Sequence, residues 1–81
     1  MKLPRDLSGA ELVKALKKLG YETTRQTGSH IRLTTSQKSE HHVTVPGHSA
    51  LRVGTLAAIL DLISAHLQIS RDELIRRLFD V

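Results

Sequence analysis

Ser29-His30-Ile31-Arg32-Leu33-Thr34 and, after a polar loop, His41-His42-Val43-Thr44-Val45-Pro46 are the stretches that decide the fold. Both alternate. Ile31 and Leu33 point one way, with His30, Arg32 and Thr34 the other; Val43 and Val45 share a face opposite His42 and Thr44. Alternation of this period is the mark of a strand with one buried face. If the two strands pair antiparallel, facing residues have position numbers of constant sum. That sum must be even for the four apolar residues to share a face. His30 then sits beside Thr44 or Pro46 on the polar face, and His48 lies just past the end of the later strand.

Upstream, Tyr21–Gln26 is rich in threonine and predicts a further strand, joined to the next by a turn at Thr27-Gly28. Before it, Ser8-Gly9-Ala10-Glu11 is a capping box that opens a helix. Leu12, Val13, Leu16 and Leu19 form its apolar stripe, Lys14, Lys17 and Lys18 lie off it, and Gly20 stops it. Downstream, Val53–Leu67 predicts a second helix with Leu56, Ile59, Leu60, Ile63 and Leu67 on one stripe. A second capping box, Ser70-Arg71-Asp72-Glu73, opens a short third helix carrying Leu74, Ile75, Leu78 and Phe79. The string α-β-β-β-α-α predicts an α+β fold: a three-stranded antiparallel sheet with helices on one face and the other face open.

Eighty-one residues allow one domain with one core, and 40% hydrophobic content suits a globular chain. Cysteine is absent, which excludes disulfides and thiolate metal sites. The start Met1-Lys2-Leu3-Pro4 leads into no apolar segment of the signal-peptide kind, and the longest apolar run, Leu56–Leu60, is too short to cross a bilayer. A cytoplasmic protein without membrane partners is expected. Twelve Lys and Arg against eight Asp and Glu give +4 and a pI near 10, a bias toward a polyanionic partner such as RNA or DNA. Tyr21 and Phe79 are the only aromatics of the Phe, Trp and Tyr kind, so an RRM or an aromatic OB-type platform that reads single strands by base stacking is not expected.

Three short elements could carry chemistry. In Gly28-Ser29-His30, glycine permits a tight turn close to a ligand, serine adds a hydroxyl, and histidine titrates near neutral pH. On chemistry alone the plainer reading, an exposed polar residue beside a hairpin turn, comes first. Val45-Pro46-Gly47-His48 ends a strand at proline and presents a histidine; it is equally a plain connection. Gly54-Thr55-Leu56, preceded by Arg52, opens a helix whose free N–H groups attract phosphate, or is ordinary capping. Five histidines raise the question of a metal. However, His41 and His42 should point to opposite faces, and no H-E-x-x-H spacing occurs, so no metal site is expected. Ser29 and His30 should diverge as strand neighbours, which argues against a nucleophile–base pair.

Together, Gly28-Ser29-His30, Val45-Pro46-Gly47-His48, Gly54-Thr55-Leu56 with Ile59-Leu60, and the N-terminal Gly9, Leu12, Leu16, Leu19 and Gly20-Tyr21 resemble the HicA/YcfA mRNA-interferase toxins over roughly residues 5–67. The resemblance implies a double-stranded-RNA-binding-domain-like (dsRBD-like) fold forming one toxin domain over residues 1–81. It implies translation-independent cleavage of mRNA, growth arrest, and a HicB-type antitoxin that covers the site, with oligomers formed only through that antitoxin. His30 would be catalytic, without metal or other cofactor. It would take the 2′-hydroxyl proton while Arg32 or the second helix N-terminus stabilises the phosphorane, with His48 a candidate acid. Gly28, Ser29, Arg32, Lys38, His48, Arg52, Gly54 and Thr55 are the candidate RNA-binding residues. The competing readings are a non-catalytic RNA- or DNA-binding module of the same fold and an adaptor that binds only protein.

Overall fold

Helix α1 spans Gly9–Lys17 and begins as its sequence dictates: Ser8 Oγ accepts the Glu11 N–H, and Glu11 accepts the Ser8 N–H, each at 3.0 Å. These bonds hold the Glu11 carboxyl below its ordinary pKa, the backbone bond contributing most. The helix ends earlier than its apolar stripe predicts, because Leu19 falls in the turn that leads through Gly20 to Tyr21. Strands β1 (Glu22–Thr27), β2 (His30–Thr35) and β3 (His41–Pro46) then form an antiparallel sheet in the order β1-β2-β3. Helices α2 (Val53–Leu67) and α3 (Arg71–Phe79) complete the chain. This computed structural model describes residues 3–79. Met1 and Lys2 of the N-terminal reading, and Asp80 among the acids, lie outside the described residues.

The pairing of β2 with β3 follows the parity argument and selects one register: His30 faces Pro46, Arg32 faces Thr44 and Thr34 faces His42. Leu33, Val43 and Val45 turn inward to meet Leu12 and Leu16 of α1, Leu56, Leu60 and Ile63 of α2, and Leu74, Ile75 and Leu78 of α3 in one core. The helices pack chiefly against β3. Strand β1 is therefore exposed along its whole length on both faces. Tyr21, just ahead of β1 rather than within it, is the aromatic residue of the core.

Two backbone approaches fix the sheet end that carries His30. The Gly9 N–H donates to the His48 carbonyl at 2.9 Å, and a Cβ at Gly9 would run into the Pro46 carbonyl. The Leu51 N–H donates to Leu7 at 2.7 Å. Glycine at position 9 thus lets the start of α1 lie directly on the β3–α2 loop. The second capping box is only half made. Ser70 Oγ accepts the Glu73 N–H, while the Glu73 carboxylate turns to Arg77 and Arg76. Among the described residues, no single helix is long and apolar enough to cross a membrane.

Candidate nucleic-acid interface

Gly28 has φ +59°, the left-handed conformation that a two-residue strand turn requires and that glycine adopts without strain. A Cβ there would touch nothing, so conformation rather than space favours glycine. Ser29 follows, and its carbonyl accepts the Gly47 N–H. This bond clips the Gly28-Ser29-His30 turn to the Pro46-Gly47-His48 turn, joining two motifs distant in sequence. His30 opens β2 on the open face, opposite Pro46 and Thr27. His30 and His48 are both exposed, and neither imidazole has a partner among the described residues.

One row along the open face, Arg32 faces Arg25 of β1. The two-residue turn at Gly28-Ser29, which closes Thr27 on His30, sets this register. Farther from the turn, Thr23 pairs with Leu33, one residue out of that register. A β-bulge between Thr23 and Arg25 takes up the difference at Thr24, whose hydroxyl lies on the open face beside that of Thr34. Like charges directly opposite each other on a strand pair disfavour folding. Neither guanidinium has a carboxylate partner among the described residues. Such a pair is an anion-seeking feature.

The other sequence-derived candidates divide. Arg52 is the N-cap of α2, and its side chain makes no cap bond; with Gly54 and Thr55 it forms the uncapped first turn of that helix, joined to His48 by a short loop. Lys38 is not brought to this end. It lies in the β2–β3 loop, a strand length of about 17 Å from His30, where Nζ donates to Gln68 Oε1 at 3.4 Å.

Two further groups were not singled out from the sequence. Behind the sheet, His41 and His66 stack with ring centres 4.2 Å apart. Tyr21 Oη lies 2.8 Å from His41 Nδ1, and His66 Nε2–H donates to the Gln37 carbonyl at 2.9 Å. Burial pushes the Tyr21 hydroxyl up to about 12. His41 is held below the ordinary histidine value, first by burial, then by His66 and His42. On the open face, Thr24, Thr34, His42 and Glu40 are linked in a chain of hydrogen bonds. Strand parity was the available signal, since the register that pairs His30 with Pro46 also pairs Thr34 with His42. Among the described residues, no three His, Asp or Glu side chains cluster as a metal site would require.

Helices behind a three-stranded antiparallel sheet, and a basic, histidine-bearing open face in front, define a small α+β protein consistent with the dsRBD-like class. The chain belongs to the HicA toxin family: the family model for the HicA toxin of bacterial toxin–antitoxin systems matches residues 9–65, more than half of its length. A toxin of this family implies a cognate antitoxin as partner. Neither a curated protein nor a solved structure matches the chain.

Proposed function

We propose that this toxin is a metal-independent endoribonuclease that cleaves mRNA, with His30 as its catalytic residue. The observation that carries the reading is the open face itself. Among the described residues, two arginines without carboxylate partners oppose each other one row from an exposed imidazole that has no partner. Arg25 and Arg32 offer a planar fork for a phosphate, which guanidinium groups bind in bidentate fashion. His30 removes the ribose 2′-hydroxyl proton, the 2′-oxygen attacks phosphorus, and the bond to the 5′-oxygen breaks. Arg32 stabilises the phosphorane charge. His48, on the turn clipped to that of His30, supplies the leaving oxygen with a proton. Gly28 and Ser29 shape the approach, and Arg52, Gly54 and Thr55 receive a neighbouring phosphate at the α2 N-terminus. The reading includes a single toxin domain, supported by the contribution of α3 to the same core as α1 and α2. It also includes a HicB-type antitoxin that covers the open face, action in the cytoplasm, and oligomers only through the antitoxin.

The test uses purified toxin and a defined RNA. Cutting should survive excess EDTA, stop at a position carrying one deoxyribose, and leave a 2′,3′-cyclic phosphate or 3′-phosphate and a 5′-hydroxyl. EDTA-sensitive cutting with 5′-phosphate ends overturns the mechanism. Salt-sensitive RNA binding with no cutting at all supports the non-catalytic module instead.

A further inference from the structure

The open face holds a second histidine whose surroundings differ from those of His30. His42 Nδ1 lies 2.7 Å from Thr34 Oγ1, and His42 Nε2 lies 2.9 Å from Glu40 Oε2. A carboxylate only accepts, so Nε2 carries the proton and donates it to Glu40. The Nδ1 lone pair is then left to accept the Thr34 hydroxyl. Thr24, displaced onto this face by the bulge, places its own hydroxyl 2.9 Å from Thr34 Oγ1. A hydroxyl within reach of an imidazole, which is in turn oriented by a carboxylate, is the arrangement that activates a nucleophile. The arginine pair Arg25–Arg32 occupies the next row of the same face.

We propose that Thr34, His42 and Glu40 form a second reactive site, distinct from His30, at which Thr34 accepts acyl groups from activated carboxylic esters that carry an anionic group. Thr34 Oγ1 attacks the carbonyl carbon as its proton passes to His42 Nδ1, so that an Oγ1–carbon bond forms. Glu40 holds the resulting imidazolium. The bond to the leaving oxygen breaks, and that oxygen takes the proton from His42. Water, deprotonated by His42, then attacks the acyl carbon; the Oγ1–carbon bond breaks, Thr34 Oγ1 takes the proton back from His42, and a carboxylic acid is released. The guanidinium of Arg32, two residues away on β2, draws the anionic substrate to the site.

The probes are 4-nitrophenyl acetate and the 4-nitrophenyl half-ester of succinic acid, with the full chain carrying His30→Ala so that its exposed imidazole adds no background. A burst of 4-nitrophenolate close to one equivalent is expected. Mass spectrometry of a digest should place one acyl group on Thr34, and the anionic ester should react faster. Thr34→Val should abolish the burst and Thr34→Ser should keep it. His42→Gln should slow it about 10²–10⁴-fold, the usual contribution of a positioned base, and Glu40→Gln should slow it by less. Acylation at lysines only, or a burst unchanged in Thr34→Val and His42→Gln, overturns the proposal and leaves the chain of bonds as a clasp between strands. Neither outcome depends on RNA cleavage by His30.

Discussion

His30 and His48 at one end of the sheet, and His41 and His66 at the other, are two pairs of the same side chain under opposite conditions. The first pair is exposed and, among the described residues, its imidazoles have no partners. The second is stacked ring on ring, and each member is hydrogen-bonded, one of them to a tyrosine wholly inside the core. An imidazole with its nitrogens free is available to a substrate and contributes little to folding. One that is stacked and hydrogen-bonded behind the sheet stabilises the fold at the cost of its reactivity. Residue type alone therefore does not separate a reactive histidine from a structural one; its partners do.

The largest expected effect breaks the comparison at its reactive end. His30→Ala should lower RNA cleavage by about 10²–10⁴-fold. Its stability should stay within about 0.5 kcal/mol of wild type, as for other exposed substitutions. Cleavage assays and thermal melts on the same preparation check this; unchanged cleavage removes His30 from the mechanism. At the structural end, His41→Ala should do the reverse. It leaves the buried Tyr21 hydroxyl without its partner, which costs about 1–3 kcal/mol. In a chain of this size that is a fall in melting temperature of at least several degrees, with the RNA reaction retained. Gly9→Ala tests the join between the helices and the reactive end. Its Cβ meets the Pro46 carbonyl, so α1 must shift off the loop that carries His48. A loss of about 1–3 kcal/mol is expected from such overpacking.

Acidity should separate the two ends further. The folded pKa of His41 is depressed, so the unfolded chain binds its proton more readily than the folded one. Its contribution to stability is complete above the unfolded value of about 6.5 and is lost as pH falls below that toward the lower folded value. One such group changes stability by at most about 1.4 kcal/mol per pH unit. Melts between pH 5 and 8 should show this decline in the wild type and a flatter profile in His41→Asn. The smallest effect concerns the open face. RNA binding by the His30→Ala protein should weaken with salt along a log–log slope of roughly −2 to −3.5, the value for about three to five phosphate contacts. Arg25→Ala should reduce that slope by about 0.7. A slope near zero shifts weight to a partner bound without ionic contacts.

Local pattern determined most of the framework, because each part of it is enforced by neighbours in the chain. The α1 capping box, the apolar stripes, the turn at Gly28 and the alternation of β2 and β3 were all legible, and parity placed His30 on the open face. The same parity held the Thr34–His42 pair. Tertiary structure decided what depends on contacts between distant segments. The bond from Gly47 to Ser29 joins two turns that nothing in their spacing connects. Lys38, plausible by charge, lies beyond the far end of the strand that His30 begins. The stacking of His41 on His66 needs α2 to cross behind β3 at one particular height. The bulge at Thr24 is the sharpest case. One extra residue in β1 brings Thr24, which the register of the turn would set opposite Leu33 behind the sheet, onto the open face, and Thr-Thr-Arg-Gln-Thr has no apolar alternation to announce it. With β1 exposed on both faces, no buried side chain ties that register to the local sequence. Pairing with β2 alone sets it, and the arginine pair of the open face follows from that pairing.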